Sequence, residues 1–264
     1  MIGTAPTVTP AQHLEHVAGE VVRLAATYVA TNIGVARAAG TKSSPTDVVT
    51  HTDLDSERLI RTELLRRCPG SAVEGEELDD EGGENGIRWI VDPIDGTVNF
   101  LYDLPVVAVS IAASVGGVVV AGAVADVLRG EVFSANDDGP ARLDGRPLTV
   151  SDEAVLANAL IGTGFSYDAE RRRRQAETLA RLLPRCRDIR CMGSAALNLC
   201  WVAAGRLDAY FEQDTKLYDY AAGNLIAARA GAVVEAPQDN DLSLDIAAAP
   251  GLFPTLRHLV GPAH

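Results

Sequence analysis

The sequence predicts a mixed α/β protein, on three observations. Two stretches of helical periodicity come first, and an uncharged, valine-rich run broken by Gly116-Gly117 follows them. Beyond Val150, short apolar runs alternate with amphipathic stretches. Helices, then an antiparallel strand group, then alternating strands and helices make an α+β or α/β fold. A soft boundary near Val150 divides residues 1–150 from residues 151–264, and a chain of 264 residues is long enough for one large domain or two closely packed ones.

From Gln12 to Ala39 the residues Leu14, Val17, Val21, Leu24, Ala25, Tyr28 and Val29 recur at helical spacing and predict an amphipathic helix. Thr41 to Asp47 is polar and contains Pro45, so it is a loop. A second helix runs from Asp53 to Arg67, with Thr52 or Asp53 as its N-cap and Leu59, Ile60, Leu64 and Leu65 on its apolar face. A short strand through Ala72 and Val73 leads to Glu74-Gly75-Glu76-Glu77, and the acidic loop from Leu78 to Gly86 is exposed. Leu104 to Ala125 carries no charge and could be mistaken for a membrane span. Gly-Gly between two β-branched runs is instead a hairpin signal, so this segment reads as two buried antiparallel strands. Further strands are expected at residues 131–134, 156–162 and 209–212, with a turn at Asn136 to Gly139. Helices are expected at residues 169–183 (capped by Asp168), 195–204 and 219–230. The Arg171 to Arg174 run reads as a solvated helix face, and the five histidines show no ligand spacing.

Composition narrows the function. An apolar content of 47% with 22% charged residues is that of an ordinary globular protein. Lys and Arg number 23 against 36 Asp and Glu, and the net charge of -13 argues against direct binding to nucleic acid or an anionic membrane. An acidic protein that handles an anion needs cations to do so. Cys68, Cys186, Cys191 and Cys200 have neither Cys-x-x-Cys spacing nor flanking His pairs, which argues against a zinc site. Scattered thiols, and a Met1–Pro10 segment without signal-peptide order, predict a cytoplasmic protein.

The most informative stretch is Trp89-Ile90-Val91-Asp92-Pro93-Ile94-Asp95-Gly96-Thr97-Val98-Asn99-Phe100. It reads as a buried strand ending in two carboxylates on a turn stiffened by Pro93. Hard oxygen ligands of this kind suit Mg²⁺. Gly96 lets a phosphate approach the backbone, and the amides after it can receive one if a helix starts there. Two other sites have alternative readings. Glu76 and Glu77 are metal ligands or part of an exposed acidic loop, and Asp219 is a ligand or the N-cap of an alanine-rich helix.

Five blocks resemble the inositol monophosphatase family. They are Lys42-Ser-Ser-Pro-Thr-Asp47 with Val49-Thr50, Gly75-Glu76-Glu77, Trp89 to Phe100, Gly193-Ser194-Ala195-Ala196, and Tyr218-Asp219-x-Ala-Ala-Gly223. They cover the chain from about Leu14 to Ala232, and the likeness is greatest to bacterial SuhB-type members. The resemblance implies a layered αβαβα sandwich of the inositol monophosphatase and fructose-1,6-bisphosphatase type. It further implies a Mg²⁺-dependent phosphomonoesterase acting on inositol 1-phosphate, inhibited by Li⁺ and working as a homodimer. Glu76, Asp92 and the Ile94 carbonyl would hold one Mg²⁺, and Asp92, Asp95 and Asp219 a second. A third would bind at Glu76 through waters. Thr97 and Asp47 would orient and deprotonate the attacking water, and the Gly96 and Thr97 amides would bind phosphate. Gly193, Ser194, Ala195 and Glu212 would contact the sugar alcohol beside Asp95 and Asp219.

Tyr218 stands where the family commonly has tryptophan, and Ser194 where it often has threonine. Lys216 sets a cation three residues before Asp219, which could favour a substrate with a second anionic group. The enzymatic alternative is the same chemistry on fructose 1,6-bisphosphate, histidinol phosphate or a 3′-phosphonucleotide. A non-enzymatic alternative is a transcription-associated interaction protein.

Overall fold

A computed structural model describes residues 8–34, 38–41, 48–238 and 244–261. Its elements stack in five layers. Helices α1 (Pro10–Thr31) and α2 (His51–Arg67) cover the outer face of a seven-stranded sheet. That sheet runs in spatial order through β3 (Ala72–Gly75), β4 (Ile87–Asp95), β5 (Ala108–Val115), β6 (Val118–Asp126), β7 (Glu131–Asn136), β8 (Arg142–Leu143) and β9 (Arg146–Pro147). Every neighbouring pair is antiparallel except β3 and β4. Helices α5 (Ala195–Ala203) and α6 (Leu217–Arg229) fill the space between this sheet and a five-stranded one. The second sheet contains β10 (Leu160–Thr163), β11 (Asp188–Cys191), β12 (Ala209–Gln213), β13 (Val233–Glu235) and β14 (Leu244–Ala248), in the order β11-β10-β12-β14-β13. Helices α4 (Ala169–Leu182) and α7 (Phe253–Val260) close its outer face. The layered αβαβα sandwich is therefore the architecture observed.

Residue type follows layer. α1 has one apolar stripe, with Leu14, Val17, Val21, Ala25 and Val29 buried against the sheet. α5 lies between two sheets and is apolar all round but for Asn198, with Ala195, Ala196, Leu197, Leu199, Cys200, Val202 and Ala203 buried. The central layer is rich in alanine and glycine because backbones approach closely there. A Cβ on Gly122 of β6 would sit 3.0 Å from Ala222 Cβ of α6. In the outer core Trp89 is fully buried, and its indole N–H donates to Ser71 Oγ at 3.1 Å. The β5–β6 hairpin turns through Gly116 and Gly117 at φ of 60° and 85°, the left-handed pair that a two-residue turn demands. Among the described residues no helix is long and apolar enough to cross a membrane.

Several boundaries differ from the sequence reading. α1 ends at Thr31 rather than Ala39, and Ala38–Thr41 forms strand β1 against β2 (Val48–Thr50); Leu24 lies on the exposed side. α2 starts at His51, and its cap is Thr50, not Thr52 or Asp53. Thr50 and Asp53 form a reciprocal capping box that places Asp53 inside the first turn. The strand expected from Leu156 begins at Leu160, after a short 3-10 turn. Residues 42–47 lie outside the described residues. α4 has Asp168 as its N-cap, and Arg173 on its solvated face pairs with Glu170 and Glu177.

A paired network ties the loop after α5 to the first sheet. Arg206 donates to both oxygens of Glu131 at 2.6 and 2.7 Å and lies 5.7 Å from the Phe133 ring centre. The guanidinium groups of Arg206 and Arg129 hold the Glu131 carboxyl down at about 2. A depressed carboxylate contributes stability above its unfolded-state pKa and loses it as the pH falls through the folded value. Arg206→Ala is expected to cost about 1–3 kcal/mol near neutral pH by urea denaturation. The gap to the parent should shrink as the pH is lowered from about 5 towards 2.

Candidate active site

The site forms where β3 and β4 of the first sheet meet the heads of α5 and α6. Asp92 and Asp95 are three positions apart, which in a regular strand would send them to opposite faces. The register against β5 shifts between them, Asp92 facing Ser110 and Asp95 facing Ala108, so one extra residue is accommodated. The bulge falls at Pro93-Ile94, where Pro93 has no N–H to lose from the ladder, and it brings both carboxylates to one side. β3 runs parallel to β4 with Gly75 opposite Val91, so Glu76 emerges beside Asp92, and the two side chains hydrogen-bond.

Gly96 (φ 99°) then turns the chain into the one-turn helix α3 (Thr97–Leu101). A Cβ there would meet the carbonyl oxygens of Val106 and Gly193 at 2.9 and 3.1 Å, so only glycine fits. Thr97 Oγ1 donates to Asp53 Oδ1 at 3.0 Å and lies 3.1 Å from the Ile94 carbonyl oxygen. Asn99 Nδ2 donates to the carbonyls of Val106 and Met192 at 2.8 and 2.7 Å, which ties the turn to the 192–193 loop.

The second sheet and the central helices complete the junction. Asp95 acts as an acceptor for the head of α5. Ser194 Oγ donates to its Oδ2 at 2.6 Å, the Ala196 amide to the same atom at 2.7 Å and the Ala195 amide to Oδ1 at 3.3 Å. Ser194 also caps α5 by accepting from the Leu197 amide. Asp219 stands in the first turn of α6, where its Oδ2 accepts from the Lys216 amide at 2.5 Å. Glu212, the last residue but one of β12, accepts from Tyr210 Oη at 3.0 Å.

Electrostatics sets these carboxylates apart. Burial pushes Asp92 well above the usual carboxylate range, and the neighbouring charges of Glu76, Asp95 and Asp219 push it further. Burial and Glu76 do the same to Asp219, against the Lys216 amide. Asp95 is raised by burial to about 6, held from rising further by Ser194 and the α5 amides. Burial raises Glu212 to about 8 despite the bond from Tyr210. Clustered acids with raised pKa values mark a place that would gain from positive charge.

The donor set is hard oxygen throughout: Glu76, Asp92, Asp95, Asp219 and the Ile94 carbonyl, the chemistry that suits Mg²⁺. Each aspartate also spends acceptor capacity on a protein donor: Asp92 on the Ile94 amide at 3.0 Å, Asp95 on α5, Asp219 on Lys216. As they stand among the described residues, no group of three or more His, Cys, Asp or Glu side chains is arranged so that it could hold a metal ion.

All the site residues named from the sequence meet at this junction except Asp47, which lies outside the described residues. The described carboxylate partner of Thr97 is Asp53. The sequence marks Thr52 or Asp53 as a helix cap and singles out no role for Asn99, Ser56 or Glu57. The one available signal was Thr50-x-x-Asp53, a capping pattern that moves the helix start upstream and turns Asp53 inward.

Comparison with known proteins gives the chain's family. The model of the inositol monophosphatase family matches residues 5–260. The inositol-1-monophosphatase SuhB of Mycobacterium tuberculosis is 50% identical over 228 residues, 80% of this chain and 77% of that one. A solved structure of Mycobacterium tuberculosis SuhB superimposes with a TM-score of 0.80 at 42% identity, covering 94% of this chain and 95% of that chain. A protein named Nus factor SuhB, from Escherichia coli, is 36% identical over 190 residues, 71% of each chain. With the family model spanning all but the ends of the sequence and a relative at half identity, the chain belongs to the inositol monophosphatase family and is a phosphatase.

Proposed function

We propose that the protein is a Mg²⁺-dependent phosphomonoesterase that hydrolyses inositol 1-phosphate to inositol and phosphate by attack of water. The supporting observation is that Glu76 and Asp95 act on Asp92 and Asp219 within one buried junction. A dianionic phosphate can be received among such charges only with cations. Glu76, Asp92 and the Ile94 carbonyl would hold one ion, Asp92, Asp95 and Asp219 a second, and Glu76 a third through waters. Bound Mg²⁺ supplies neutralisation of the phosphoryl oxygens and a lower pKa for the attacking water.

The chain's own residues aim and deprotonate that water. Thr97 Oγ1 commits its proton to Asp53 Oδ1, 3.0 Å away, and so presents a lone pair to the water. As the water's proton moves to Thr97 Oγ1, the Thr97 proton passes to Asp53 Oδ1. In this reading Asp53 takes the role that the resemblance implies for Asp47. Glu76 would assist in activating the water. The Gly96 and Thr97 amides would hold phosphate oxygens. Gly193, Ala195 and Glu212 would face the sugar alcohol beside Asp95 and Asp219, and Ser194 would act through Asp95, to which its hydroxyl is bound.

Fructose 1,6-bisphosphate, histidinol phosphate and a 3′-phosphonucleotide are the competing substrates, and Lys216, an exposed cation at the head of α6, would favour those with a second anionic group. Li⁺ sensitivity and a homodimer belong to the same reading. The name of the Escherichia coli relative favours a second one, a contact with the transcription machinery.

Phosphate release from these four substrates, with and without Mg²⁺, tests the proposal. Inositol 1-phosphate should be hydrolysed fastest and only with the metal, and a far higher rate on histidinol phosphate would overturn the substrate. Asp95→Asn should lower Mg²⁺-dependent turnover by more than about 100-fold with the circular dichroism unchanged. Thr97→Ala should lower kcat roughly 10²–10⁴-fold with little change in the Mg²⁺ requirement.

The pH behaviour follows from Asp95 at about 6 and Glu212 at about 8. Both are raised above their unfolded values, so the stability they contribute is present at low pH and is lost as the pH rises through the folded values. Chelator-treated protein should therefore melt higher near pH 6 than near pH 8. Saturating Mg²⁺ should shrink that difference by the share that belongs to Asp95, a ligand in this reading, and leave the share that belongs to Glu212.

A further inference from the structure

The buried face of α2 carries Asp53, Ser56, Glu57, Ile60, Arg61 and Leu64 at alternating steps of three and one. Ile60 and Leu64 pack into the outer core, Asp53 meets Thr97, and Ser56 Oγ donates to the Pro93 carbonyl at 3.2 Å. Glu57 and Arg61 are left, and the hydrolytic chemistry uses neither.

Glu57 is fully buried and ionically paired, with Arg61 Nε and Nη2 donating to its Oε1 at 2.8 and 2.7 Å. Its remaining acceptor capacity goes to the backbone that follows Glu76. The Glu77 amide donates to Oε2 at 2.8 Å and the Leu78 amide to Oε1 at 3.3 Å. Arg61 takes the same segment from its carbonyl side, donating to Leu78 at 3.1 Å and to Val73 at 3.4 Å. The pair thus holds the chain on both flanks of Glu76. Gly75 lies so close that a Cβ there would collide with the Glu57 carboxylate.

A buried ion pair is an expensive way to stabilise a helix–strand contact, since well-packed apolar residues do as well. What an apolar pair could not supply is an acceptor for two amides next to a metal-facing glutamate. We propose that Glu57 and Arg61 are positioning residues for Glu76. They clamp the 73–78 backbone so that the Glu76 carboxylate is held ready for a divalent cation. The inference rests on the metal-dependent reading above.

The test compares the parent protein, Glu57→Gln, the double variant Glu57→Gln/Arg61→Met, and Gly75→Ala. Gly75→Ala displaces the segment without removing a charge. Each is stripped of metal, then examined by urea denaturation, by amide hydrogen exchange over residues 74–79 and by calorimetric titration with Mg²⁺. Glu57→Gln alone should lose stability, because it leaves Arg61 buried and unpaired, and the double variant should recover it. In the double variant and in Gly75→Ala, residues 74–79 should exchange faster and the Kd for Mg²⁺ should rise about 10–100-fold. Recovery of stability without recovery of affinity supports positioning. A double variant that binds Mg²⁺ like the parent overturns the inference alone, and so does unaltered exchange in Gly75→Ala. Absence of Mg²⁺ binding by the parent overturns the metal-dependent reading and this inference with it.

Discussion

Carboxylates crowded together away from water repel one another, and much of this fold restrains that repulsion. Asp92 is held inside a strand ladder and Asp95 at the end of the same strand, while Glu76 is delivered by a parallel neighbour and Asp219 by a helix on the far side. No single element could present all of them, because adjacent acids on one helix or strand would destabilise that element locally. Spreading them over two strands and a central helix moves the strain from local to tertiary structure, where the packing of five layers opposes it.

The central layer sets how tightly this can be done. Alanine and glycine on β6, α5 and α6 bring the two sheets' contributions within reach of one another, at the expense of side-chain volume in the middle of the molecule. The outer layers compensate with larger residues, among them Trp89, Ile60 and Leu64 on one side and Leu182, Phe211 and Leu256 on the other.

Parts of this were legible in the sequence for identifiable reasons. The β5–β6 hairpin was visible because Gly116-Gly117 is a backbone requirement written into residue type, and α4 because Asp168 and the arginine face are both local signals. The carboxylate turn was visible because Pro93 and Gly96 punctuate it. Other features depend on tertiary contacts. The C-terminal strands β13 and β14 are short and pair antiparallel across a sheet whose other members are parallel, so no period in 233–248 announces them. The start of α2 is hidden from apolar periodicity because the pattern of buried residues on that helix is largely polar. Thr52, Asp53, Ser56, Glu57 and Arg61 are all inside, which is the reverse of what apolar periodicity looks for. These inverted positions are also the ones that hold the Glu76 segment, Pro93 and Thr97.

Asp95 has one more consequence. Its two oxygens serve, across 99 to 101 residues of chain, the first amides and the capping hydroxyl of α5. If the backbone were severed in the largely exposed stretch of residues 151–158, the leading fragment would hold an aspartate without its donors. The trailing fragment would hold a helix head without that acceptor. Each piece would carry the complement of the other's unmet hydrogen bonds. The two fragments would thus recognise one another through the same contact that, in the intact chain, joins the halves of the site.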